Sequence, residues 1–174
     1  MKIYKCLLYT LIAICTLSAN YSCERDDICA EGTPTTPFLI IKFIDFETGT
    51  LIKAPVELQV QAVGVDTPFT LGTVRDSILI PLRNNESITD YEFTINSDTT
   101  NNTDTDPNPD KDIVSFQYTA KEEYVSSACG FKVNYEGLTF SPPITGDDGN
   151  WIKSITIQRE NITDETTAHV FIFH

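Results

Sequence analysis

The chain has 174 residues, 41% of them hydrophobic, and carries 12 lysines and arginines against 25 acids, a formal charge of −13. So acidic a balance argues against nucleic-acid binding and against a polybasic membrane patch, because both depend on clustered cations. The length is enough to bury one good core and offers no second domain.

The elements begin with an export signal. Met1 to Lys5 holds two lysines and no acid, and Cys6 to Ala19 is uncharged and largely apolar. As a helix these residues would span ~21 Å at ~1.5 Å each, short of a ~30 Å bilayer core. A signal-peptide hydrophobic region fits better than a membrane anchor. No cut between Ala19 and Ser22 offers the pair of small residues that ordinary signal peptidase prefers. Ser22 does precede Cys23 directly, and a small residue followed by cysteine after an apolar run resembles a lipobox. There the cysteine receives diacylglyceryl and the chain is cut before it. Asn20 and Tyr21 depart from the usual pattern, as in the relaxed lipoboxes of Bacteroidetes lipoproteins. Ordinary secretion and an uncleaved anchor are the competing readings. Each methylene of a lipid on Cys23 would contribute ~0.8 kcal/mol to membrane binding.

On this reading residues 1–22 are the signal peptide and 23–36 a lipidated tether. The chain would be lipid-anchored at the outer membrane, on its surface or its periplasmic face. Glu24, Asp26 and Asp27, just behind the lipid site, resemble the acidic surface-export signal of some Bacteroidetes lipoproteins. The mature chain keeps ten basic residues and all 25 acids, a charge of −15.

Five cysteines are present. Cys6 and Cys15 leave with the signal and Cys23 takes lipid, so Cys29 and Cys129 remain as an even pair in an oxidising compartment. A Cys29–Cys129 disulfide is expected, with two free buried thiols as the alternative.

From residue 37 to 174 an all-β domain is expected. Phe38 to Ile44 is apolar at nearly every position and predicts a central strand covered on both faces. Period-two alternation follows at Val56, Leu58, Val60 and Ala62; at Ile78, Ile80 and Leu82; and at Tyr91, Phe93 and Ile95. It recurs at Val114, Phe116 and Tyr118; at Cys129, Phe131, Val133 and Tyr135; at Ile155 and Ile157; and at Ala168, Val170 and Ile172. These eight segments predict an antiparallel β-sandwich, immunoglobulin-like or similar. Lys121 to Ser127 reads as one helical turn or a wide hairpin loop. Residues 97–112 are a polar, acidic, low-complexity stretch that predicts a mobile loop.

Cys23-Glu24-Arg25-Asp26-Asp27-Ile28-Cys29, Tyr124-Val125-Ser126-Ser127-Ala128-Cys129-Gly130-Phe131 and Ala168-His169-Val170 together resemble a Bacteroidetes lipoprotein family known only as a domain of unknown function. The likeness covers nearly the whole chain. It implies the paired cysteines, which strengthens the disulfide expectation, and an envelope partner such as an outer-membrane β-barrel protein. It implies no activity.

Candidate chemistry is sparse. Asp104, Asp106, Asn108, Asp110 and Asp112 place oxygens at every second residue, as a calcium loop does. The glycine and the terminal bidentate glutamate of an EF-hand are absent, so a solvated loop is the plainer reading. His169 and His174 are the two histidines; His169 falls opposite the apolar face of the last strand and is expected at the surface. Trp151, after the Gly146 to Asn150 turn, is a candidate sugar-stacking residue or an ordinary packing residue. Ser77 and Thr99 sit in Bacteroidetes-type O-glycosylation patterns. The Asn-X-Ser/Thr sites at Asn85, Asn101 and Asn161 matter only in a eukaryotic secretory path. With no activated nucleophile or metal set in view, and no cofactor implied, a non-catalytic interaction module is expected, with a carbohydrate-binding lipoprotein as the alternative.

Overall fold

A computed structural model describes residues 28–70, 76–97, 109–144 and 149–174. The signal peptide, Cys23 and the acids behind it, Thr99, Asp104, Asp106 and Asn108 lie outside the described residues. The chain divides into two compact units. Of the described residues, one comprises those up to Thr33 together with Ser126–Gly130; the other comprises those within Pro34–Val125 and Phe131–His174.

In the first unit Cys29 and Cys129 are joined by a disulfide, S–S 2.09 Å and Cα–Cα 4.9 Å, across 100 residues of sequence. Cys129 N–H donates to Ser126 Oγ at 3.1 Å, which fixes the turn that presents the sulfur. Thr33 N–H and Oγ both reach the Ala30 carbonyl and close a second turn.

The second unit is the all-β sandwich that the alternation predicts. The described strands are β1 (Leu39–Ile44), β2 (Gln59–Ala62), β3 (Phe69–Thr70), β4 (Ser77–Ile80) and β5 (Ile88–Ile95), then β6 (Asp110–Ser126), β7 (Gly130–Ile144), β8 (Ser154–Ile157) and β9 (Val170–Phe173). One sheet runs β4-β1-β9-β8 and the other β3-β2-β5-β6-β7. The pairings are antiparallel except β1 with β9, which is parallel.

Period-two burial sets the registers, because a slip of one residue would turn every apolar side chain outward. Leu39, Ile41 and Phe43 of β1 are fully buried and lie beside Ile80, Ile78, Val170 and Ile172. Facing them across the core are Val60, Tyr91, Phe93, Val114, Phe116 and Tyr135 of the other sheet. β1 is central in its sheet, as expected, but its outer face is only partly covered: Ile44 is buried there. Phe38 is 43% exposed, and Ile40 and Lys42 are partly exposed.

Lys121 to Ser127 is neither a helical turn nor a wide loop. β6 continues through it to Ser126, and β7 begins at Gly130. In β7 Tyr135 and Leu138 are both buried although they are three residues apart. The extra residue is taken up at Gly137, whose φ of 66° is cheap only for glycine.

Three tyrosines hold the crossing from β4 to β5. Tyr135 hydroxyl donates to the Leu82 carbonyl at 3.0 Å, Tyr118 hydroxyl to the Arg83 carbonyl at 2.9 Å, and Tyr91 hydroxyl to the Pro81 carbonyl. Burial pushes the Tyr135 phenol up to about 12, and it raises those of Tyr91 and Tyr118 as well. All three therefore stay neutral donors at ordinary pH.

Candidate interaction surfaces

The two sheets differ on their outer faces. On the five-stranded sheet the outward row Gln61, Glu92 and Ile113 lies beside Gln59, Thr94 and Lys111. Lys111 bridges to Glu92 at 2.8 Å, Lys121 to Glu136 at 3.1 Å and Lys132 to Glu123 at 3.2 Å. Gln117 donates to Ser141 at 3.0 Å. Such exposed cross-strand polar pairs add little stability and leave a largely polar face, with Ile88 and Ile113 as its apolar members.

The four-stranded sheet turns apolar side chains outward. Ile40 stands beside Leu79; Lys42 stands between Ser77 and Phe171; Ile44 stands beside Phe173 and bridges to Ile52, and is itself buried. Leu79 is 49% exposed and Ile52 is 52% exposed, and Phe46 and Leu51 of the following loop are also exposed. These apolar groups run across β4, β1 and β9, broken by Lys42 and Ser77, while β8 turns Ser154 and Thr156 outward.

His169 lies on the same outward parity, yet it is 0% exposed, which corrects the expectation of a surface histidine. Its backbone N–H donates to the Ile40 carbonyl at 2.9 Å, and its ring Nδ1 accepts the Ile40 N–H at 3.1 Å. The ring thus fills an acceptor position in the β1–β9 ladder. The β8–β9 loop brings Arg159, Asp164 and Glu165 close to it. That loop is clamped by a two-armed Arg159–Asp164 pair at 2.9 and 2.7 Å. Burial, and then Arg159, hold the imidazole below its ordinary range, so it is neutral with the proton on Nε2. His174 is likewise engaged. Its Nε2 lies 2.9 Å from the Lys53 carbonyl, and its ring meets Trp151 edge-on at 5.5 Å.

Trp151 is a core residue, 5% exposed, with Nε1 donating to the Phe93 carbonyl at 3.1 Å. This corrects its candidacy for sugar stacking, because neither ring face is offered to a ligand. Asp112, expected on a calcium loop, is instead 0% exposed on the inner face of β6, where Oδ2 accepts the Ile152 N–H at 2.7 Å. It anchors the segment leading into β8, and burial raises its pKa. Asp110 is the first residue of β6. Among the described residues no three histidine, cysteine or acidic side chains converge as a metal site. Ser77 sits half-buried on the outer face of β4, its hydroxyl 3.5 Å from Asp76.

Sequence reading missed the outer apolar face, although Phe38 to Ile44 carried the signal: a strand apolar on both sides needs two covers, and the sandwich core supplies one. It also missed the exposed pair of Tyr124 and Phe131, whose rings meet edge-on at 5.4 Å.

A family model described as a family of unknown function (DUF6452) matches residues 57–174, from just before β2 to the last residue. The chain belongs to this family. The DUF6452 match takes in both sheets except β1, and it includes Cys129 but not Cys29. No curated protein and no solved structure matches the chain.

Proposed function

We propose that this DUF6452 chain is a non-catalytic Bacteroidetes-type lipoprotein, anchored through Cys23 at the outer membrane, that works as a protein-interaction module. The observation that carries the reading is the asymmetry of the sandwich, ion-paired on one outer face and apolar on the other around Ile40, Leu79, Phe171 and Phe173. A sheet face of this kind gains ~25 cal/mol for each Å² it removes from water against a partner. An envelope protein, with outer-membrane β-barrels first among candidates, is the partner class that the tether brings within reach. The histidines serve packing and the strand ladder, and with Trp151 in the core the carbohydrate alternative loses its stacking residue.

The test is recovery of the native chain from its membranes after mild crosslinking. Mass spectrometry should show an acylated Cys23 as the first residue, and a discrete protein should co-purify. A mature terminus without acyl chains, or retention on a specific glycan with no protein partner, would overturn the proposal.

A further inference from the structure

A second surface lies on the other sheet. β5 pairs with β6 only as far as Ile88 opposite Gln117, and the last contact of that ladder is Tyr118 N–H to the Ser87 carbonyl at 3.0 Å. β6 runs on to Ser126. From Thr119 onward it has β7 on one side and, among the described residues, no strand on the other.

In a strand each residue's N–H and C=O point to one side, and successive residues alternate. Tyr118 points its N–H toward the β5 side, so Ala120, Glu122 and Tyr124 present theirs there too. The β4–β5 loop bends away at this point and leaves a cleft of about 630 Å³ lined by Asn84, Asn85, Glu86, Ser87 and, on β6, Thr119 and Ala120. β7, by contrast, has its outer edge occupied. Val133 N–H donates to Thr36 Oγ, Tyr135 pairs with Ile162, and Leu138 N–H reaches the Glu160 carbonyl. The uncovered stretch of β6 stands out against that protection, because exposed edges invite strand pairing.

We infer that Ala120 to Tyr124 of β6 accepts an extended segment of another protein as an added strand, in the row that β5 leaves. On the face continuous with Tyr118 the side chains beside such a guest are Ala120, Glu122 and Tyr124, with Phe131 next to Tyr124, while on the opposite face Lys121 and Glu123 are already paired with Glu136 and Lys132. Glu122 is exposed and central. In an antiparallel pairing of two copies about this centre Glu122 would face Glu122, between chains that are each strongly acidic. The charge pattern therefore selects a guest with a lysine or arginine opposite Glu122, a large apolar residue opposite Ala120 and a smaller one opposite Tyr124. This edge is separate from the apolar face of the other sheet, so failure here leaves the proposed function standing.

The probe is a fluorescein-labelled peptide, Thr-Val-Thr-Lys-Thr-Phe-Thr, titrated into the full chain. Saturable binding is expected, weakened at least ten-fold when the central lysine is changed to glutamate. The substitution Glu122→Pro removes a free-edge donor and no ladder bond, and it should abolish binding. Amide exchange at Ala120, Glu122 and Tyr124 should be fast in the free protein and slow with peptide. Should Glu122→Pro fail to fold, Glu122→Lys replaces it, and preference should then pass to the glutamate peptide. Absence of saturable binding at millimolar peptide, equal binding by the variants, amides already protected in the free chain, or a dimer that Glu122→Pro dissociates would each overturn the inference.

Discussion

A single ring nitrogen closes the ladder between β1 and β9. His169 Nδ1 accepts the Ile40 N–H only while it is unprotonated. Burial holds the folded pKa below the ordinary imidazole value of 6.5, so below about pH 7 the unfolded chain takes up protons that the folded chain resists. Stability is therefore full above the unfolded pKa and is lost as pH falls from there toward the folded value. His174 shifts in the same direction, so the informative quantity is a difference. Between pH 7.5 and 5.5 the melting temperature of the native chain should drop more than that of His169→Asn, whose amide oxygen can accept from Ile40 without titrating. Parallel pH profiles for the two proteins would refute this role. Trp151→Ala should cost roughly 3–5 kcal/mol in denaturant unfolding, as deletion of a buried ring does. A loss near zero would return Trp151 to the surface. At this scale the sequence was partly readable. Parity placed His169 on the correct face, but parity carries no information about the β8–β9 loop that covers it. The disulfide followed from counting cysteines. The role of Asp112 did not, because its partner is a backbone N–H forty residues away.

Among the elements, the apolar periodicity that predicted the strands follows the buried residues closely in β4, β5 and the first half of β6. It failed where one residue breaks the phase. Val56 is exposed because Glu57, with φ of 46°, turns the chain just before β2. In β7 the bulge at Gly137 resets the alternation. A Cβ at Gly137 would meet nothing within 4 Å, so Gly137→Ala should cost only the backbone penalty, about 1–2 kcal/mol. A loss of 4 kcal/mol or more in denaturant titration would mean that side-chain crowding had been misjudged. The length of β6 was hidden for another reason. Lys121, Glu122 and Glu123 break the apolar pattern, since beyond Ala120 the inner face of β6 is no longer buried. The disulfide closes a 100-residue loop, and replacing both cysteines by serine should lower unfolding free energy by up to ~4–5 kcal/mol in the chain-entropy model. Equal denaturation midpoints for the reduced and oxidised chain would show that the bond is dispensable.

At the level of the whole molecule, a strongly acidic body carries the apolar sheet face proposed as its contact surface. The acidic charge keeps copies apart and works against open-ended self-association of that face. The ion-paired face of the other sheet provides an internal control on the same chain. A photo-crosslinking residue placed at Leu79, and in a second protein at Gln117, separates the two faces in intact cells. Both positions are exposed, so neither substitution disturbs the core. One discrete protein adduct is expected from position 79 and none from position 117, as an apolar contact face requires. Adducts of equal yield from both positions, or from position 117 alone, would contradict it.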